Sequence, residues 1–453
     1  MNILILNGSP KGKWSITLKT SEYLEALHPE HTFEVLNVGA RIKSLEKDMS
    51  QARDALLRAD VIVFSYPVYT FLAPSQLHRF IELLKTSDID VSGKYATQIT
   101  TSKHFYDVTA HRYVEDNCHD LGLKYIKGLS ADMDDLTTKR GQQEADAFFN
   151  YLMFSIENDI YEEKAVAKCE YTPVSIDVSQ IEESKSRPKH GNVVIVTDCE
   201  ENNTRLFAMI EYFRYKLPFS TRVININECN IMGGCLGCFG CATNGKCIYK
   251  DKFDTFLREE IQSADSIIYA FSIKDHSMGS RFKMYDDRQF CNGHRTVTIG
   301  MPVGYLVSGP LANEENLSTV MVARADVGSN FLAGVATDEA DPCKKIDQLV
   351  AKLTYALENK YRVPQSFYGI GGMKIFRDLI WLMQGMMRAD HKFYKQHKQY
   401  DFPQKKRGTM LKMYLVGALI SSPKIKAKMG NKMNEGMIAP YQKVIDEAKQ
   451  KNG

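Results

Sequence analysis

The sequence predicts an α/β protein: two tandem doubly wound parallel-sheet domains followed by an α-helical C-terminal extension. Three observations carry this. Short apolar runs, ILILNG at residues 3–8 and VVIVT at 193–197, each enter a polar loop and then a helix-compatible stretch, the pattern of buried parallel strands. The segment Ala59-Asp60-Val61-Ile62-Val63-Phe64 matches Ala264-Asp265-Ser266-Ile267-Ile268-Tyr269 without a gap, and the register continues through Ser75 and Ser280. Each copy also has a second strand, at 33–38 and 222–227, and a helical run before its Ala-Asp pair; such alternation argues for crossover helices on a parallel sheet. The expected boundaries are 1–155 for the first domain, 156–190 for a polar linker, 191–357 for the second domain and 358–453 for the extension.

Composition narrows the function classes. The 453 residues are 44% hydrophobic and 25% charged, an ordinary globular balance. A net charge of +3 gives no reason to expect nucleic acid. The opening MNILILNGSP has no basic region ahead of its apolar stretch, and no window is apolar enough to span a bilayer. A cytoplasmic location is expected, where the ten cysteines read as ligands or core thiols rather than disulfides.

After the first strand comes Gly8-Ser9-Pro10-Lys11-Gly12-Lys13-Trp14-Ser15-Ile16-Thr17 and then a helical run. A loop of Gly, Ser and Thr before a helix presents N–H groups and hydroxyls to an anion. It lacks G-x-x-x-x-G-K-[ST] and G-x-G-x-x-G, so it suits a phosphate monoester better than a nucleoside triphosphate or a dinucleotide; a plain capped turn is the alternative. The third strand ends in Ser65-Tyr66-Pro67-Val68-Tyr69-Thr70-Phe71, whose aromatics either cover a flat ring or pack the top of the sheet.

The second copy carries extra sequence holding Cys235, Cys238, Cys241 and Cys247, spaced C-x2-C-x2-C-x5-C. Four thiolates this close fit an iron–sulfur cluster best by spacing; a structural zinc site and metal-free thiols stay open. Cys229 reads as a packed thiol or a replacement ligand, and Cys199 as a packed or reactive one. The glycines around the quartet let the backbone curl about a metal of either kind.

NGSPKGKWSIT followed by ADVIVFSYPVY resembles the NADPH-dependent FMN reductase family, flavodoxin-like in fold. The cysteine quartet ahead of an Ala-Asp strand resembles its iron–sulfur flavoprotein branch. The resemblance covers both α/β copies and not the last hundred residues. It implies FMN phosphate held by Ser9, Lys11, Ser15 and Thr17, isoalloxazine contacts from Pro67, Val68 and Tyr69, and a further loop of Thr100, Thr101, Ser102 and Lys103 beside the ring. It also implies a 4Fe–4S cluster on Cys235, Cys238, Cys241 and Cys247. In the second copy, Asp198, Glu200 and Glu201 replace the phosphate loop and would repel a dianion, so poor FMN binding or none is expected there. Lys250-Asp251-Lys252 stands where relatives often carry paired acids.

The function this implies is an oxidoreductase in which FMN, reduced by NAD(P)H or a reduced ferredoxin, exchanges electrons with the cluster and a small-molecule or protein acceptor. No general acid or base is nominated, because hydride delivery to flavin needs none from the protein. His104 and Tyr106 lie where they touch either the flavin or only the surface. A flavodoxin-like carrier and a zinc-stapled binding module are the competing classes. Relatives form oligomers, which allows a homo-oligomer here, or a fusion that builds the same interface inside one chain. The extension, with its MKIFRDLIWLMQGMMR and TMLKMYLVGALIS segments, reads as a helical cap on the α/β body or as a membrane-surface or partner-docking module.

Overall fold

The computed structural model describes residues 1–164, 169–178 and 189–421, and scattered positions between 424 and 450. Residues 1–393 form one compact unit and 394–453 a second. In the first copy, β1 (Asn2–Asn7), β2 (Thr32–Leu36), β3 (Val61–Pro67), β4 (Tyr95–Ser102) and β5 (Lys124–Tyr125) lie in the parallel order β2-β1-β3-β4-β5, and β6 (Leu129–Asp132) pairs with the far end of β4. The second copy repeats the order with β7 (Lys189–Thr197), β8 (Phe219–Asn225), β9 (Ser266–Ser272), β10 (Pro302–Ser308) and β11 (Phe331–Thr337), as β8-β7-β9-β10-β11. Both are doubly wound sheets with their ligand edge at the carboxyl ends of the strands.

The strands are apolar throughout because both faces are covered. Ile3 and Ile5 of β1 point toward α1 (Ile16–Leu27) and α5 (Lys139–Glu157), where Leu18 and Phe149 meet them. Leu4 and Leu6 point the other way, into a cluster with Leu77 and Phe80 of α3 (Ser75–Thr86). The second copy does the same: Val193 and Ile195 meet Leu206 of α6 (Thr204–Lys216) and Leu349 of α9 (Pro342–Asn359). Val194 and Val196 join the cluster that holds Leu4 and Leu6, together with Phe282 of α7 (Gly279–Arg288). The inner faces of the two sheets therefore share one core, running through the α3–α7 contact.

That contact is a pseudo-twofold. The Ser75 N–H donates to Asp287 (2.8 Å), and at the matching positions the Ser280 N–H donates to Glu82 (2.7 Å). The tight turns that precede the two helices also correspond: Tyr69 bridges Leu72 and Lys274 bridges Ser277, with positive φ at Thr70 and Phe71 and at Asp275 and His276. One patch meets its own duplicate, as in an isologous dimer, within a single chain. The duplication read from the Ala-Asp segments extends to backbone conformation.

The linker runs without helix or strand through 160–164 and 169–177, where Tyr171 donates to Asp338 (2.9 Å); positions 165–168 and 179–188 of it lie outside the described residues. In the extension, α10 (Phe367–Leu382) packs against α8 (Glu315–Val327), with Gly369 at the Asp326 carbonyl and Gly372 against Val327 and the Phe105 ring. This part of the extension is a cap on the α/β body. No described helix is long and apolar enough to cross a membrane.

His276 closes one rim of the interface, 2.8 Å from Asp120 of the first copy and 2.9 Å from Glu314. Burial opposes its charge, but the two carboxylates prevail and raise its pKa from 6.5 to about 9. A raised folded-state value means that this stabilisation is complete below the ordinary histidine pKa and lost as pH climbs through about 9. Thermal unfolding across that window should show the wild-type midpoint falling relative to His276→Gln, which lacks the titration.

Candidate functional site

The loop after β1 takes its shape from Asn7, which the sequence reading passed over. Its buried amide donates to the Gly12 carbonyl (2.9 Å) and to the Asn37 side chain (2.8 Å). Gly12 sits at φ +55°, where a side chain is strained. Ser15 caps α1, its Oγ accepting from the Leu18 N–H at 3.4 Å. The Thr17 and Thr101 hydroxyls stand 2.6 Å apart and tie this loop to the end of β4. A helix N-terminus flanked by Ser9, Lys11, Ser15 and Thr17 is a fit for a phosphate dianion.

One cavity of ≈ 450 Å³ is lined by Ser9, Lys11, Ser15, Thr17, Pro67, Val68, Tyr69, Thr101 and Ser102, and equally by Cys235, Cys238, Cys241 and Cys247. Residues from both copies thus surround a single space of the size that small cofactors occupy. Thr100 is the exception. Its hydroxyl pairs with His111 Nε2 at 2.7 Å, because successive residues of β4 face opposite sides and Thr101 takes the cavity side. His104 pairs with Asp107 (3.2 Å), and Tyr106 packs on Phe71 and Tyr368; neither lines the cavity. Phe105, between them, does.

The cysteine loop is built against the first copy. Gly237 has φ +61°, and a Cβ there would collide with the Tyr69 hydroxyl and come within 3.2 Å of Lys11 Cε. Lys11 Nζ lies 5.4 Å from the centre of the Phe239 ring, and the Tyr69 ring meets Phe290 edge-on at 6.0 Å. Tyr69 is buried, and that burial, with Cys235, Asp287 and Cys238 nearby, holds its phenol well above the ordinary pKa, so it stays protonated.

The base of the loop is closed by a buried ion pair. Arg288 donates to both Asp251 oxygens (2.8 and 2.9 Å) and to the Gly233 carbonyl (3.0 Å), and its guanidinium lies 4.4 Å from the centre of the Tyr249 ring. Asp251 also accepts from the Met232 N–H (3.0 Å) and the Phe253 N–H (3.1 Å), so one carboxylate gathers both ends of the loop. Burial opposes its ionisation, yet Arg288 and these N–H groups keep its pKa below the usual value. Arg295 reaches the Cys241 carbonyl (3.0 Å) and the buried Asp390 (2.9 Å), anchoring the loop to the extension.

Burial pushes Cys235 up to about 12 and also raises Cys241, so these are neutral thiols until a metal displaces their protons. Among the described residues, no three His, Cys, Asp or Glu side chains close to the spacing of a single ion. Cys291 also lines the cavity. Cys229 and Cys199 do not; burial, then Asp198 and Glu200, push Cys199 up to about 11, the opposite of the lowered value a reactive thiol carries.

Residues 1–147 match the sequence family described as the flavodoxin-like fold. The chain is 28% identical over 173 residues to an iron-sulfur flavoprotein of Archaeoglobus fulgidus, covering 36% of this chain and 77% of that protein. It is 34% identical over 111 residues to FMN-dependent NADH:quinone oxidoreductase 2 of Pseudomonas syringae pv. tomato, covering 18% of this chain and 53% of that protein. Among solved structures, it is similar to general stress protein 14 of Treponema denticola in complex with FMN, at 16% identity and a TM-score of 0.28, over 34% of this chain and 98% of that one.

Truncating Arg288 would strand a buried carboxylate, a loss of about 3–5 kcal/mol. Denaturant unfolding of Arg288→Met should show a drop of that order, whereas Lys246→Met, exposed on the same loop, should stay within about 0.5 kcal/mol of wild type.

Proposed function

We propose that this chain is an FMN-dependent oxidoreductase, reduced by NAD(P)H or a ferredoxin-type donor, in which the Cys235, Cys238, Cys241 and Cys247 thiolates hold a 4Fe–4S cluster beside the flavin and electrons pass on to a small-molecule or protein acceptor. The observation that carries this reading is the shared cavity: phosphate-binding residues, ring-covering residues and all four cysteines line one space. The named relatives, an iron-sulfur flavoprotein and an FMN-dependent NADH:quinone oxidoreductase, point to the same chemistry.

When bound, FMN supplies hydride acceptance and one-electron chemistry, and the cluster supplies one-electron exchange. The chain supplies binding, orientation and exclusion of water. Ser9, Lys11, Ser15, Thr17 and the first turn of α1 hold the phosphate, with Lys11 contributing charge. Pro67, Val68 and Tyr69 present a rigid apolar wall to the ring, with Thr101 and Ser102 beside it. Phe105, Phe239 and Phe290 keep the cavity apolar, which strengthens the electrostatics inside it. The C-x2-C-x2-C-x5-C spacing supports a cluster over zinc, because structural zinc normally pairs two C-x2-C knuckles across a longer loop. The two copies already meet within the chain, so the site needs no second subunit.

Anaerobic stopped-flow mixing tests the proposal. NADH or NADPH should bleach the flavin band, followed by a slower loss of the cluster band. Cys247→Ser should keep the first phase and lose the second. Lys11→Met combined with Thr17→Val should weaken FMN binding by about 10–100-fold, the value of one or two charge-assisted hydrogen bonds. A flavin that only a reduced ferredoxin can reach, with no turnover of a small acceptor, would make the protein a carrier, and a colourless zinc protein would overturn the redox reading.

A further inference from the structure

The chain divides its charge unevenly. Residues 394–453 hold thirteen Lys and Arg against four Asp and Glu, out of 58 and 55 in the whole chain, so the larger unit is net acidic and the smaller one strongly basic. A basic terminal module has two common uses, nucleic acid and membrane surface. The structure of the module separates them.

Helix α11 (Arg407–Ile420) carries Met410, Leu411, Met413, Tyr414, Leu415, Val416 and Leu419, all solvent-exposed; Tyr414 is 76% and Leu411 64% exposed. Nucleic acid is bound through cations and stacking rings, and a run of exposed Leu, Met and Val contributes nothing to that. Aqueous exposure of so much apolar surface on one helix is unfavourable unless another phase receives it. The helix has 14 residues, about 21 Å of rise, which is shorter than the hydrocarbon core it would have to cross. It can lie in an interface but cannot span one. Lys405 and Lys406 precede it, Arg407 opens it, Lys412 sits within it and Lys424 follows. An apolar helix too short to span, with lysines at its ends, matches the boundary between acyl chains and anionic headgroups.

We infer that residues 394–421 form a monotopic membrane-surface anchor, with α11 embedded at the headgroup boundary of a bilayer rich in anionic lipid and Lys405, Lys406, Arg407 and Lys412 against its phosphates. The inference does not depend on the redox reading of the cavity.

The test is flotation of the full chain with vesicles of phosphatidylcholine alone and of phosphatidylcholine mixed with phosphatidylglycerol. Flotation is expected with the mixed vesicles only, and should weaken in high salt. Leu411→Glu with Leu415→Glu, and separately Arg407→Glu with Lys412→Glu, should each reduce vesicle binding by about tenfold or more. Far-UV circular dichroism and the thermal midpoint of the larger unit should stay unchanged, because these positions are exposed. Absence of flotation overturns the inference, as does equal flotation on neutral vesicles or undiminished binding by both variants. Capture of homopolymer RNA with no vesicle binding also overturns it and assigns the module to nucleic acid; self-association through α11 that vesicles do not compete away would assign it to a second copy of the chain.

Discussion

A buried ammonium holds the two copies in the relation on which the cavity depends. Lys283 of α7 is fully buried, and its three protons go to Asp287, to the Tyr69 carbonyl (3.1 Å) and to the Thr70 hydroxyl (2.7 Å). An interior lysine is tolerated only when paired and fully hydrogen-bonded, and this one is. Its partners include the turn that follows β3, where Thr70 and Phe71 take the left-handed conformation. A charge from the second copy thus fixes the strained turn that places Tyr69 in the cavity, and Thr70 in return donates to Asp286 (2.6 Å). The same contacts that join the copies also hold the site.

The pseudo-twofold relation also shows where the copies diverged. The position equivalent to Lys283 in the first copy is His78, which is buried and stacked on Tyr113 at 3.9 Å. Burial, reinforced by the nearby lysine, pushes its pKa well down, so it is neutral and clamps no turn. The matching turn of the second copy is held instead by Asn117, whose amide donates to the Asp275 carbonyl (3.3 Å), and by His276 at the rim. A symmetric interface has acquired two different ends. One end opens on the phosphate loop and the cysteines. At the other, burial and Glu200 raise the pKa of Asp198 to about 7, against Lys274 and Arg281 nearby.

Much of this was legible in the residues. The apolar runs gave the strands because full burial on both faces leaves no polar alternation to confuse them. The gapless Ala-Asp match gave the duplication, and Ser9, Lys11, Ser15, Thr17, Tyr69 and the cysteines sit together as their motifs implied. The misses have physical causes. Thr100 was grouped with Thr101, although strand alternation turns neighbouring side chains apart. Asn7, Phe105, Phe290 and the Asp251–Arg288 pair act through contacts between segments far apart in sequence, which no local pattern encodes. The extension's first helix was expected either as a cap or at a membrane; its glycines at 369 and 372, which admit the Asp326 carbonyl and the Phe105 ring, made it a cap.

The central claim is that one chain, alone, brings a flavin and a soft-metal group into one cavity. The most direct measurement is anaerobic metal, sulfide and flavin analysis of a fraction that light scattering shows to be monomeric. The account predicts FMN together with iron and acid-labile sulfide in equal amounts, all within the single chain. Flavin accompanied by zinc, or a chain that acquires its chromophores only on self-association, would contradict it.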